Sequence, residues 1–458
     1  MTDLATANID GENPIIAIES GLLPIENPPS LDTNKVNLRD RFIIFGSIMQ
    51  IFMAVGDSLA GTFAMLYAVT RGSVGLMQGI IVSVRELGTA ILQPIWGVFS
   101  DRRGRRYFVF AGFLFQALSW GILMPLATTP RFVLGVVIFQ TCFGTMLIPT
   151  WNAWIGDRTH SRNRGSTLGY LGFVGSWAGT VMVLAMSFWM ERVDPNREFV
   201  STYTIVFRTA GLFYLLAAVV CLIIPEMKRS NGKKLAKMEK LSKSPISRVK
   251  ERFIGIFYSY KPEFRRLLAV DGAFRVAWSL AWPLFPYATL AATDDWIQIA
   301  VVSVISTIAT GFSQLYGGRL SDRIGRKKVI QTTRIALVTP PILYSMGVWL
   351  NAPIYLFFSN LIIGITLGAG AISMNSLILD IAPDDKQGTY FSTYMTVMGI
   401  LAFTGSLIMG LILLALSPHN IPSTKLLIAL FFLASACRLV AWIGYRYLPD
   451  VKPHESTA

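Results

Sequence analysis

Five charged side chains, Asp57, Arg85, Glu86, Asp271 and Arg275, stand inside long apolar runs of the chain. An ionised group at the centre of a bilayer costs about 2.5–3.5 kcal/mol on insertion scales, so such residues face an interior, pair with one another or carry function. Asp57 falls about 15 residues into the first run, ~22 Å along a helix at 1.5 Å per residue. Asp271 and Arg275 have the i,i+4 spacing that puts both on one helix face, where they are expected to pair. Arg85 and Glu86 are neighbours, roughly 100° apart on a helix, and point in different directions. Three acids set against two arginines leave one carboxylate over. A carboxyl group kept from both water and a cation favours its neutral form, the property of a proton carrier. Asp57, Glu86 and Asp271 are therefore the candidate proton-coupling residues, the first two foremost, with Arg85 and Arg275 as charge partners or solute ligands. The competing reading is a fixed salt-bridge cluster joining helices. Arg208, Arg334 and Arg438 lie nearer the ends of their runs and are expected to snorkel. Gln50, Asn152 and Asn375 are candidate solute-binding amides, since an amide inside a bundle needs partners.

The elements that position these residues are apolar segments of membrane-spanning length. The 458 residues are 53% hydrophobic and only 15% charged, with mean hydropathy +0.51. A soluble chain carries about 25% charged residues. Twelve spans are predicted, at 42–69, 75–97, 107–127, 131–155, 165–190, 203–224, 264–290, 297–318, 328–349, 353–379, 388–416 and 423–447. The net charge of +14 is concentrated in the breaks Arg102–Arg106, Arg158–Arg164, Lys228–Arg266 and Arg323–Lys328. The positive-inside rule places those breaks in the cytoplasm, and an even span count puts both termini there, in a multi-pass protein of the cell membrane. Basic breaks that alternate with spans argue against nucleic acid as the partner. Residues 1–40 read as a disordered tail, 41–225 and 263–447 as two six-helix bundles, 226–262 as a basic linker on the anionic inner leaflet, and 448–458 as a second tail.

Two motifs occur twice. Gly97-Val-Phe-Ser-Asp101-Arg-Arg-Gly104-Arg105-Arg106 returns as Gly318-Arg-Leu-Ser-Asp322-Arg-Ile-Gly325-Arg326-Lys327, an offset of 221 residues. The stretch from Asp157 to Gly165 returns from Asp380 to Gly388 at an offset of 223. Near-equal offsets at matching helix junctions indicate a duplicated membrane bundle. The buried charges are not duplicated: Arg85 and Glu86 correspond to Ser306 and Thr307, and Asp271 and Arg275 to Gln50 and Ala54. Duplicated residues are thus expected to be scaffold or gate, and unique ones to serve solute or ion. In the loops, Gly97 and Gly318 are expected to let neighbouring helices approach, and Asp101 and Asp322 to cap the helix that follows.

These loops resemble the signature of the major facilitator superfamily of transporters, and the likeness extends over about residues 42–447. It implies an all-α membrane protein of about twelve helices in two pseudo-symmetric six-helix bundles, working by alternating access. It also implies a cytoplasmic gate formed by Gly97, Asp101, Gly104 and Arg105 with Gly318, Asp322, Gly325 and Arg326. The glycines of the fifth span, from Gly165 to Gly179, are similar to those of proton-coupled drug exporters, although Ser176-Trp177 stands near where their Gly-Pro pair would be.

The expected function is secondary active transport of a small solute, foremost proton-coupled export of small organic or drug-like compounds. Proton-coupled uptake of an organic anion or sugar, and a non-transporting receptor or scaffold, are the alternatives. The expected partners are the solute, protons and membrane lipids, with the chain acting as a monomer. No enzyme is indicated. His160, His419 and His454 fall in loops or tails, Cys142, Cys221 and Cys437 lack ligand or disulfide spacing, and no phosphate-binding loop occurs. No cofactor and no metal are expected.

Overall fold

The computed structural model describes residues 41–158, 164–197, 200–224, 260–293, 295–383, 386–417 and 421–449. The expected N-terminal tail and nearly all of the linker lie outside them. Among the described residues the chain is helical, with no strand. The first half runs α1 (Arg41–Thr70), α2 (Leu76–Arg103), α3 (Arg105–Leu126), α4 (Pro130–Gly144 and Leu147–Arg158), α5 (Arg164–Val193) and α6 (Val200–Ile223). The second runs α7 (Pro262–Ser279 and Phe285–Ala292), α8 (Trp296–Ile324), α9 (Arg326–Ala336 and Thr339–Leu350), α10 (Ile354–Ile381), α11 (Gln387–Leu416) and α12 (Thr424–Ile443). Nine of these are long and apolar enough to cross a membrane by composition. The exceptions are α2, which carries Arg85 and Glu86, and the broken helices α7 and α9.

The duplicated loops share one backbone shape. Gly104 has φ 96° and ψ 133°, and Gly325 has φ 93° and ψ 139°. A Cβ would be strained in that region, so glycine is required at both turns. Each glycine is itself the N-cap of the next helix. The expected capping by Asp101 and Asp322 falls on side chains outside the described set; their backbones lie in the preceding helices. The expected close approach is not seen at Gly97, and in the second copy it falls one residue earlier. An added Cβ at Gly97 would meet nothing within 4 Å and one at Gly318 would touch only Ile372, whereas one at Gly317 would lie 2.7 Å from the Ala369 Cα.

The breaks in α7 and α9 follow from proline. A prolyl nitrogen cannot donate to the carbonyl four residues back. Pro341 therefore frees the Leu337 carbonyl, and Pro283 frees that of Ser279. Around Pro283 the helix tightens, so that Trp282 N donates to Ser279 O and leaves Trp278 O free. Arg438 of α12 meets both sites: Nη1 donates to Leu337 O at 2.7 Å and Nη2 to Trp278 O at 2.8 Å. Ser435 Oγ donates to Val338 O and Ser406 Oγ to Ser279 O. Arg438 is fully buried and Arg334 nearly so, which corrects the expectation that they snorkel.

Candidate functional site

Asp57 on α1 borders a polar cavity of about 280 Å³ between the halves. Ser58 and Thr62 continue its α1 wall, Thr180 comes from α5, Ser303, Ser306 and Thr307 from α8, and Asn360 from α10. The Tyr214 hydroxyl on α6 donates to the Asp57 carboxylate. Tyr214 is itself fully buried, its ring against Gly56, so it fixes the carboxylate from the packed side and leaves the other side to the cavity. Arg85 lies within electrostatic reach of Asp57.

Glu86 on α2 and Arg275 on α7 pair across the halves at 3.9 Å. The Arg275 guanidinium also lies over the rings of Trp278 and Trp282, at 4.8 and 5.3 Å from their centres. Cation–π contact of this kind holds the guanidinium in place when water is scarce. Arg85 does not share the Glu86 ion pair, as their 100° separation on α2 leads one to expect.

The predicted Asp271–Arg275 pair does not form. Asp271 is instead held by Arg334 of α9 at 3.1 Å, by the Tyr394 hydroxyl of α11 at 2.6 Å and by the Tyr445 hydroxyl just after α12. Arg334 Nε also donates to Tyr445 Oη at 3.1 Å. The i,i+4 spacing allowed the local pair, but four donors from three other segments outcompete a single neighbour. Arg334 and Arg438 also correct the charge count, which becomes three acids against four arginines. The distinction of Asp57 therefore rests on its cavity and its neutral tyrosine donor, not on a surplus.

The three amides also separate. Gln50 accepts from Trp151 Nε1 at 2.7 Å and so joins α1 to α4. Asn152 is exposed and Asn375 half-buried. The amide on the polar cavity is Asn360, which donates to Tyr344 Oη and Leu356 O at 2.9 Å each. Sequence reasoning missed it, along with the hydroxyls of α8. A signal for the latter existed: Ser303, Ser306, Thr307 and Thr310 recur at helical spacing and mark one polar face within an apolar segment.

On the basic-loop face, Arg326 pairs with Asp380 and donates to Ser376 O at 2.9 Å, which joins the two repeated motifs of the second half. Arg106 donates to Leu222 O at the end of α6. At the opposite face the halves are latched together. Trp296, fully buried, donates from its backbone to Glu191 Oε2 at 2.9 Å and from Nε1 to Asp194 O at 2.7 Å. Its ring sits edge-on to Tyr203 in the first half. Tyr287 Oη reaches Ser73 O at 3.1 Å, and Arg197 Nη1 reaches Thr293 Oγ1 at 3.4 Å.

Two six-helix halves around a shared polar cavity, latched at one face, define a membrane transporter. The chain belongs to the Major Facilitator Superfamily, whose sequence profile matches residues 45–274 and 267–458. It is 24% identical over 369 residues to a multi-drug resistance efflux pump PmrA homolog of Lactococcus lactis subsp. lactis (strain IL1403), covering 78% of this chain and 84% of that one. It is also 24% identical over 366 residues to the multidrug resistance protein MdtG of Klebsiella pneumoniae (strain 342), covering 77% and 82%. Among solved structures, the nucleoside transporter NupG superposes with a TM-score of 0.68 at 13% identity, over 90% of this chain and all of that one. The inward-open xylose transporter XylE from E. coli superposes with a TM-score of 0.62 at 16% identity, over 90% and 97%. At these identities the two structures bear on the fold alone.

Proposed function

We propose that this transporter exports small organic, drug-like compounds in exchange for protons, by alternating access. The observation that carries the reading is Asp57, a carboxylate that borders the polar cavity between the halves and is steadied by the neutral Tyr214 hydroxyl. Such a group can exchange a proton for a solute without dismantling the fold around it. A relative named as a multi-drug resistance efflux pump supports the export direction. The positive-inside rule supports a cell-membrane protein with cytoplasmic termini and basic loops. The face latched by Trp296 is then the outer one, and this conformation opens inward. Glu86 is the second proton site: its pairing with Arg275 bridges the halves, and protonation would release it.

Asp271, in its saturated cluster, serves as scaffold, and the gate role is retained for Gly97, Asp101, Gly104 and Arg105 with Gly318, Asp322, Gly325 and Arg326. Uptake of an organic anion would use Arg85 and Arg275 as ligands; of these, the Arg275 guanidinium already faces Glu86 and two tryptophans.

The test is solute-dependent proton flux in liposomes. Opposed solute and proton fluxes support export, parallel fluxes point to uptake, and no coupled flux with any solute points to the scaffold reading. Asp57→Asn and Glu86→Gln should both lose coupled flux while folding normally.

A further inference from the structure

The polar groups with a fixed role in the Asp57 cavity are all acceptors. Asp57 is exposed to the cavity, and among the described residues its carboxylate is bonded by the Tyr214 hydroxyl alone. Asn360 is 8% exposed and is held from its own half. Its Nδ2 gives both hydrogens away, to Leu356 O and to Tyr344 Oη, each at 2.9 Å. A backbone carbonyl can only accept, so the amide cannot turn over. Its Oδ1 receives no hydrogen bond from a described residue and is left to the cavity. On α8, Ser306 Oγ and Thr307 Oγ1 both donate to Ser303 O, at 3.3 and 3.1 Å. A hydroxyl has one hydrogen and two lone pairs, so these two offer the cavity lone pairs only.

Fixed donors are missing from the same walls. None of the lining residues is lysine, arginine or histidine, and Arg85, although within electrostatic reach of Asp57, is not one of them. The walls are helix interiors, whose backbone N–H groups are spent on their own helix. The remaining hydroxyls can turn to either role. Val183 and Val304 are the only apolar side chains on the walls, so an apolar body finds little to lie against. The volume of about 280 Å³ stands at the small end of ligand pockets, which run from roughly 300 to 1,000 Å³.

We propose that this cavity selects small, hydrophilic cations with several N–H groups, of the alkylguanidinium kind, and that Asn360 and Thr307 set the choice. A guanidinium can give a pair of N–H groups to the Asp57 carboxylate and others to the amide and hydroxyl oxygens. A cation without N–H groups satisfies the charge of Asp57 but strips water from those oxygens and returns nothing. Each acceptor left dehydrated and unpaired weakens its binding. Selection is thus by hydrogen-bond donors, with positive charge necessary but insufficient. The proposal rests on the transporter reading of this cavity and narrows its solute.

The experiment uses the full-length protein in detergent and two probes alike in charge and similar in size, methylguanidinium and tetramethylammonium. Affinities come from the rise in melting temperature with ligand concentration. Methylguanidinium should bind about a hundredfold more tightly, since a site built for N–H groups rejects the analogue that lacks them. Asn360→Ala should weaken methylguanidinium about tenfold, the size of one hydrogen bond to a charged group, and leave tetramethylammonium unchanged. Thr307→Val keeps the shape of the side chain and gives up only a bond within its own helix, so it covers the case in which Asn360→Ala does not fold. It should weaken methylguanidinium severalfold, again selectively. Equal affinity of the wild-type protein for the two cations overturns the proposal. So does wild-type methylguanidinium binding in both variants, or a loss that is the same for both probes. Opposed fluxes of protons and a drug-like solute in liposomes test the underlying reading separately. Coupled flux without guanidinium preference removes the acceptor site and leaves the transporter standing, whereas no coupled flux with any solute removes the transporter reading itself.

Discussion

Glu86 of α2 and Arg275 of α7 meet 3.9 Å apart across the boundary between the halves, each about one-quarter exposed. A pair of that length and exposure contributes little stability, about 0.2–1 kcal/mol. Its value lies in where it sits, because any motion that separates the halves there must break it. Glu86→Gln should leave the melting temperature within a few degrees of wild type and remove the pH dependence of transport. The check is solute efflux across a series of imposed pH gradients; a retained dependence would exclude Glu86 as a coupling group.

Asp57→Asn keeps an oxygen for the Tyr214 hydroxyl but loses the exchangeable proton. The expected result is a folded protein that binds solute and catalyses solute exchange at equal concentrations, yet cannot accumulate solute against a gradient. Counterflow and gradient-driven assays on the same preparation separate these outcomes.

Asp271 should behave in the opposite way. Removing it strands the buried Arg334 charge, and breaking a buried pair from one side costs about 3–5 kcal/mol. Asp271→Ala should therefore lower thermal stability in detergent by far more than Asp57→Asn. Replacing both partners, as in Asp271→Leu with Arg334→Met, should recover much of the loss. A double variant no more stable than Asp271→Ala would contradict the account.

Arg438→Met leaves the Leu337 and Trp278 carbonyls without donors, at about 1–3 kcal/mol for each unsatisfied buried group. Arg438→Lys, with one ammonium for two separated carbonyls, should restore only part of that stability. Thermal unfolding of the three proteins gives the order directly.

Trp296→Ala should unlatch the face opposite the basic loops. Ser73, fully buried and bonded through its carbonyl to Tyr287, reports on it. In a Ser73→Cys background, a membrane-impermeant maleimide should label slowly with Trp296 present and markedly faster with alanine in its place. Equal rates would show that Trp296 does not hold that face shut.

The sequence by itself determined the number and order of the helices and the duplication. These follow from local properties, namely runs of apolar residues long enough to cross a bilayer and a glycine-bearing motif recurring at a fixed offset. It also singled out Asp57, Glu86 and Arg275, because a charge in an apolar run is visible without knowing its neighbours. Partner choice was not legible. Asp271 has a suitable arginine four residues away yet binds Arg334, 63 residues on, because the fold supplies several donors at one point and a helix face supplies one. Arg334 and Arg438 read as end-of-span residues until packing buried them. The polar cavity was equally out of reach: it is a space between surfaces that helical periodicity can suggest, but only the packing of the two halves decides which faces meet and which are left apart.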